Sequence, residues 1–357
     1  MPTLKKSSDT LPEISISPYT SAFPNTQLQR FVFETLGDRA KDVLWFQSDA
    51  SSSVPPLHDH FTSMGNLLPI NDILHLNQFL KKVNLMLDKN GHFVLIMETK
   101  KSRKNRLYGN QPKAKRRPVY FFDFLWNRVL PKSPLKRFYY RFTRGKNQVI
   151  SLSEALARLI YCGFVIIDHK LAGAHTAIIA RKIKQPMQSI EPTTGMLITL
   201  PRIGFKGEIV HVYKFRTMHP YSEFLQEYLY ENNGTKDGDK IRNDFRVTRW
   251  GKFFRKYWID EIPMLINFFK GELKLVGVRP LSKHKFFTYP KWLQVARVRV
   301  KPGLIPPYYA HMPETPEEFH EAERAYLEAY SRHPWRTDFR YFRKSMFNIL
   351  FKGARSR

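Results

Sequence analysis

Asp260 and Glu261 stand side by side in "WIDEIPMLINFFKGELKLVGVRP" (258–280), inside a chain that is otherwise strongly cationic. There are 59 Lys+Arg against 31 Asp+Glu, a formal charge of +28. Cations lie on both sides of the acidic pair: Lys214 and Arg216 in "KFRTM", Arg246 in "DFRVT", Arg255, Arg279 in "VRP" and Lys301 in "KPG". If they converge, they form a socket for a partner carrying two or more phosphates, because the guanidinium fork binds oxyanions in a bidentate way. Taken singly, each also reads as a solvated surface cation. An ionised carboxylate in such a socket has two available roles. It can hold Mg2+ against phosphate oxygens, or attack phosphorus as a nucleophile. An Asp with an ordinary pKa of about 3.9 needs no general base at neutral pH. The same stretch also reads as a plain helix start. Asp260 would be the N-cap, Pro263 would sit in the first turn, and Ile262, Leu265, Ile266 and Phe269 would form a buried face.

The elements that must position these residues follow an α/β pattern. Residues 1–30 are Ser/Pro/Thr-rich and are expected to be loosely ordered. Residues 31–181 alternate helix-like and strand-like runs: "KDVLWFQ" (41–47) as a strand, a helical period over 70–88 capped by Asn71 or Asp72, a turn at 89–91 and a buried strand at 92–99. This order predicts a Rossmann-like layered unit. Within it, residues 100–146 hold sixteen Lys/Arg and one acid, Asp123. Pro131 and Pro134 are expected to break any helix there. The helix that follows takes Ser151 or Ser153 as its cap. Residues 182–195 read as a linker, and 196–357 as a second, α+β domain opening on a hairpin around Gly204–Gly207.

The motifs of this second domain resemble the bacterial sugar transferase family, the monotopic phosphoglycosyl transferases. The likeness rests on "YKFRTM" (213–218), "DFRVTRWGKFFRKYWIDEIPMLINFFKGELKLVGVRP" (244–280) and "KPGLIP" (301–306), five linked motifs over about 110 residues. The resemblance implies transfer of a phosphosugar from a UDP-sugar donor to a polyprenyl phosphate such as undecaprenyl phosphate, with release of UMP. That step would initiate exopolysaccharide, capsule, O-antigen or glycoprotein glycan synthesis. It implies Asp260 as nucleophile, Glu261 as Mg2+ ligand, and Arg255 and Arg279 at phosphates or nucleotide, with Lys214 and Arg216 supporting the pocket. Three departures stand out: Lys274 and Val278 in the "LKLVGVRP" motif, Met264 where the family has Gln, and "LIPPYYAHMP" after "KPG". They are expected to alter sugar recognition or lipid approach.

Family members carry an apolar membrane helix before the hairpin, and here that place is polar. Membrane contact is therefore expected from the aromatic, basic stretch 118–142, with Phe121, Phe122, Trp126, Phe138 and Tyr139 as contact residues, and from the C-terminal helix, with Phe347. The alternative for 118–142 is a basic surface loop with a partly buried helix. Lysines and arginines among the aromatics favour interfacial docking on the cytoplasmic face of the bacterial inner membrane over deep burial. Cys162 is the lone cysteine, so no intrachain disulfide and no Cys-based zinc site can form. No window of about 18 apolar residues is present. Residues 31–180 faintly resemble the later half of class I SAM-dependent methyltransferases, but no glycine-rich loop precedes the similar stretch, so this unit reads as degenerate and non-catalytic. An active methyltransferase is one rival reading. A nucleic-acid binder is another, without a zinc-finger, helix-turn-helix or ribonucleoprotein motif to support specific binding.

Overall fold

The computed structural model describes residues 26–49, 60–172, 174–188, 192–233, 235–236, 240–241 and 244–353. It divides into two units: Met1–Thr194 with His219–Arg246, and Gly195–Met218 with Val247–Arg357. The first unit therefore takes back a segment that lies between two parts of the second.

The first unit is built on a five-stranded mixed sheet of β1 (Leu44–Phe46), β2 (Phe61–Asn66), β3 (Leu87–Met97), β4 (Phe164–Ala172) and β5 (His175–Lys182). Its order is β1-β2-β3-β5-β4. β1, β2 and β3 run parallel, and β5 pairs antiparallel with both β3 and β4. Strand alternation sorts the side chains of β3 into two cores. Phe93, Leu95 and Met97 enter one cluster with Phe79, Leu80, Leu156 and Phe164. Val94 and Ile96 enter another with Leu28, Phe31, Val32 and Trp45. A sheet buried on both faces needs nearly continuous apolar strands, and "HFVLIM" supplies one. Helix Leu76–Met86 covers the first face and helix Thr26–Leu36 the second.

Several local expectations need correction. Residues 26–30 belong to the first helix, where Leu28 is buried; residues 1–25 lie outside the described residues. Asn71 and Asp72 do not cap the helix, which starts at Leu76 after His75. Instead Asn71 donates to the carbonyls of Glu98 (3.0 Å) and Gln148 (2.8 Å) and accepts from the Glu98 N–H (2.7 Å). Ser151, not Ser153, caps helix Leu152–Tyr161. The break expected at Pro131 and Pro134 is present: the helical run from Lys113 ends in a 3-10 turn, Leu130–Lys132, that holds Pro131, Ser133 is extended, and helix Lys136–Thr143 begins after Pro134.

The second unit opens on hairpin β6 (Leu197–Ile203) and β7 (Ile209–Phe215), with Ile198 opposite Lys214. Strands Lys274–Val276 and Gly303–Ile305 pair in parallel. Their backbones approach so closely at Gly277 and Gly303 that a Cβ on Gly303 would lie 2.1 Å from the Gly277 nitrogen. This contact ties "VGVRP" to "KPG", and only glycine permits it. Thr315 caps helix Pro316–Arg332, with Glu317 and Glu318 in its first turn. That helix and Pro334–Phe351 enclose a core of Val276, Val278, Leu293, Tyr326 and Tyr341.

Candidate active site

Two threonines and a glycine join the first two motifs. Thr248 caps helix Arg249–Lys256 by accepting from the Gly251 N–H at 2.8 Å, and its own N–H donates to the Thr217 carbonyl at 2.9 Å. Gly251 sits so close to Thr217 that a Cβ would fall 1.9 Å from the Thr217 oxygen. Arg255, one turn further, donates from Nε to the Thr217 hydroxyl at 2.9 Å. The "T-x-x-G-x-x-x-R" spacing thus lays this helix against the end of β7 and aims Arg255 along "KFRTM".

The acidic pair follows at once, in a conformation unlike the expected helix start. Trp258 adopts φ 54°, a left-handed conformation that bulky residues rarely take. Its indole Nε1 donates to the Tyr309 hydroxyl at 3.2 Å and holds the turn. Residues Ile259–Met264 then form a 3-10 helix, and a five-residue α-helix, Leu265–Phe269, succeeds it. Asp260 is the second residue of the tight turn and makes no capping hydrogen bond. The expected buried face is also reversed. Ile262, Leu265, Ile266 and Phe269 are exposed, Phe269 to 82%, while Met264 and Asn267 point inward. Asn267 is fully buried: its Oδ1 accepts from the Tyr213 N–H (3.0 Å), and its Nδ2 donates to the His211 carbonyl (2.9 Å) and to Glu272 (2.6 Å). One side chain therefore fastens the acidic segment to β7. Sequence reasoning gave Asn267 no role, although a lone Asn in an apolar run is the signal that could have found it.

Glu261 is gripped by two of the expected cations. Lys214 Nζ lies 2.6 Å from Glu261 Oε1 and Arg279 Nη2 lies 3.3 Å from the same atom. Oε2 accepts no hydrogen bond among the described residues. Arg279 also donates from Nη1 to the Tyr308 hydroxyl at 2.9 Å, and its carbonyl accepts from Arg297, which pairs with Glu323. Asp260 is half-buried. Burial first, and then the Glu261 charge, raise its pKa above the ordinary Asp value; Lys214, its own backbone N–H and Arg255 only partly offset this.

The remaining residues are placed differently. Arg216 donates from Nε to the Gly195 carbonyl at 2.9 Å. Lys301 is exposed beside Gly271. Arg246 belongs to the first unit, closed in a bidentate pair with Asp244 at 2.9 and 2.8 Å. Lys214, Arg255 and Arg279 are thus the cations that the second unit brings to the acidic pair.

The departures from the family pattern also find physical roles. Lys274 pairs with Asp338 at 3.0 Å and lies 3.4 Å from the centre of the Tyr330 ring. Val278 and Met264 are buried in the unit's cores. Val278 and Met264 thus fill cores, and Lys274 is held in an ion pair. The "LIPPYYAHMP" segment does reach the site, because Tyr308 and Tyr309 are the partners of Arg279 and Trp258.

Of the membrane-contact residues, Phe121, Phe122, Trp126, Phe138 and Phe347 are exposed. Tyr139 is not: it is fully buried, donating to Asn127 Oδ1 at 3.2 Å and the Lys146 carbonyl at 3.1 Å. Its hydroxyl needs those interior partners and finds them. No helix of the described residues is long and apolar enough to cross a membrane.

Comparison with known proteins places this geometry. The chain is 38% identical over 104 residues to a galactosyl transferase CpsE of Streptococcus agalactiae, which is 29% of this chain and 23% of that protein. It is 36% identical over 93 residues to an undecaprenyl-phosphate galactose phosphotransferase of Salmonella typhimurium, covering 25% and 20%. It is 36% identical over 108 residues to the exopolysaccharide production protein ExoY of Rhizobium meliloti, covering 29% and 47%. The matched stretch thus spans less than half the length of each of these relatives. The family model described as bacterial sugar transferase matches residues 172–352, which include the hairpin, the acidic pair and both C-terminal helices, and the chain belongs to that family.

Proposed function

We propose that this protein is a phosphoglycosyl transferase that moves a sugar 1-phosphate from a UDP-sugar to a polyprenyl phosphate through an aspartyl-phosphosugar intermediate. The observation that carries the reading is the division of labour in the acidic pair. Glu261 faces Lys214 and Arg279 through one oxygen, while the half-buried Asp260 carboxylate has a raised pKa and, among the described residues, meets its own backbone N–H but no hydrogen-bonding side chain. The printed name of the Salmonella relative, an undecaprenyl-phosphate galactose phosphotransferase, supports the substrate class.

The proposed chemistry balances in two displacements. An Asp260 oxygen forms a bond to the sugar-bearing phosphorus as the bond to the bridging oxygen breaks, and that electron pair leaves on UMP. A phosphate oxygen of the acceptor then attacks the same phosphorus, and the electron pair of the breaking bond returns to Asp260. No proton has to move in either step, which fits an anionic acceptor and a site without a base. Arg279 and Arg255 would bind phosphoryl oxygens, where fixed cations act most strongly as charge shifts. The first step also consumes the carboxylate charge that burial and Glu261 disfavour.

Mg2+ fits the donor set. It usually takes one or two carboxylates together with substrate phosphates and water, and Glu261 Oε2 is available among the described residues. Glu261 would hold it together with substrate phosphates and water, leaving Asp260 as the nucleophile; bound there, it would neutralise phosphate charge.

We place the reaction at the cytoplasmic face of the inner membrane. Trp250, Phe253 and Tyr257 are exposed on one side of helix Arg249–Lys256, among Lys252 and Lys256. Ile262, Leu265, Ile266 and Phe269 continue that apolar surface immediately after Asp260. Aromatics flanked by lysines suit the headgroup region. The exposed Phe121, Phe122, Trp126 and Phe138 of the first unit, and Phe347 of the last helix, would add contacts of the same kind. The parallel β1-β2-β3 trio supports a Rossmann-like reading of the first unit. The test is a panel of UDP-sugars with undecaprenyl phosphate and Mg2+, reading UMP. Release that needs neither Asp260 nor Mg2+ would overturn the mechanism.

A further inference from the structure

A cavity of about 430 Å3 opens beside Arg279 in the second unit, and none of the family motifs reaches into it except through that arginine. Arg279 spans the two places. Its Nη2 faces Glu261 at 3.3 Å, and its Nη1 faces the hydroxyl of Tyr308, a lining residue of the cavity, at 2.9 Å. The walls are aromatic. Tyr308 and Phe319 have ring centroids 5.1 Å apart, and Tyr289 and His320 4.6 Å apart. Among the described residues, the Tyr289 hydroxyl, the His320 imidazole, the Lys285 ammonium and the Glu314 carboxylate make no hydrogen bond within the protein. Tyr289 stays a neutral phenol, because burial pushes its pKa up to about 12.

We infer that this cavity takes the nucleoside of the donor. The inference rests on the phosphoglycosyl transferase reading and adds the location of one half of the substrate. Three features select that half. The cations on the walls are Arg279, already facing Glu261, and the exposed Lys285; with the Glu314 carboxylate beside them and Glu323 held by Arg297, the cavity lacks the surplus of positive charge that a phosphate inside it would need. Paired aromatic rings suit a planar base, which stacks on them, with polar side chains left over for its edge and for ribose hydroxyls. Third, negative charge develops on the leaving phosphate as its bond to the sugar-bearing phosphorus breaks. A guanidinium at the cavity mouth is best placed for that charge, so the leaving nucleoside lies beyond Arg279 and the sugar on the other side.

The experiment is titration of UMP into the full-length protein, with the variants Phe319→Ala, His320→Ala and Lys285→Ala. Lys285 is exposed, so its replacement cannot disturb a core. The two ring deletions are expected to weaken UMP binding about tenfold each, the usual scale for losing a stacked base. Lys285→Ala is expected to weaken it severalfold. All three should lower kcat/KM by the same factor for UDP-glucose and UDP-galactose. UMP binding unchanged within twofold in all three variants overturns the assignment. A loss that differs between the two sugars also overturns it, and gives the cavity to the sugar. If wild type still releases UMP in an Asp260-dependent way, only the location falls. If wild type neither binds nor releases UMP, the enzymatic reading falls with it.

Discussion

Each unit has a carboxylate centre ringed by cations, and the two differ in what is left over. In the first unit Glu154 is almost fully buried and every acceptor is used: Oε2 takes Arg128 (2.6 Å) and Lys132, and Oε1 takes Arg158 at 3.0 Å. Burial works to raise the Glu154 pKa, but Lys132, Arg128 and Arg158 hold it well below the ordinary value. Burial and then Arg128 push the Lys132 pKa down in turn, while Glu154 opposes them. In the second unit two carboxylates adjoin, one oxygen of Glu261 carries both cations, and the Asp260 pKa moves upward. A saturated carboxylate is a structural tie. An unsaturated one with a raised pKa has free energy available for chemistry. Cations near an acid therefore do not mark an active site by themselves; the incomplete satisfaction of the second centre is what favours it as the candidate site.

The comparison is broken most severely by removing the proposed nucleophile. Asp260→Asn should reduce UMP release at least about a thousandfold. Because a raised pKa means that the charged form is disfavoured on folding, the same change should leave the melting temperature unchanged or higher. A clear drop in melting temperature would put Asp260 in the structural class with Glu154.

Glu154→Gln should do the reverse. It strands three cations, and losing one partner of a buried ion network costs about 3–5 kcal/mol, measured by urea denaturation. Turnover per folded molecule should stay within about twofold.

Acid should read the same cluster. His219, facing Ser151, Arg128, Glu154, Lys132 and Lys100, is pushed down to about 3 by burial first and then by Arg128, against 6.5 in an unfolded chain. Between those values the unfolded state binds the extra proton, so stability is full above about pH 6.5 and falls as pH drops toward 3. Glu154 adds a further loss below its unfolded value of 4.5. Denaturation at pH 7, 6 and 5 should show a decline that His219→Gln flattens.

The smallest effect is expected at Lys274. Its pair with Asp338 is only partly buried, so Lys274→Ser should cost about 1 kcal/mol or less and leave the preference among UDP-sugars unchanged. A changed preference would return Lys274 to the site.

Much of this was legible in the sequence for physical reasons. The apolar run "HFVLIM" demands burial on both faces, and "TRWGKFFRKYW" has a helical tendency, although its Thr248 cap and the close approach of Gly251 to Thr217 emerge only in the structure. The acidic pair and three of its cations, Lys214, Arg255 and Arg279, were also readable, because each stands in one of the short motifs that resemble the sugar transferase pattern, although Lys214 lies 47 positions from Glu261. What stayed hidden depends on tertiary placement. Trp258 takes a left-handed φ with its indole hydrogen-bonded to Tyr309, 51 residues away, and after that turn Ile262 and Phe269 face outward while Met264 and Asn267 face in. Helical periodicity assumes a regular helix, and a 3-10 turn breaks the assumption. Arg246 looked like a member of the socket by spacing, yet Asp244, two residues away, takes its guanidinium. Tyr139 looked interfacial by composition, yet its hydroxyl meets two interior partners.

The central claim, that Asp260 becomes covalently phosphorylated by the donor, is tested most directly by intact-mass spectrometry of protein mixed with UDP-sugar and Mg2+ without acceptor. The account predicts that wild type gains one sugar phosphate, that peptide mapping places it on Asp260, and that undecaprenyl phosphate discharges it. A mass gain that persists in Asp260→Asn, or UMP released by wild type without any protein-bound sugar phosphate, would contradict it.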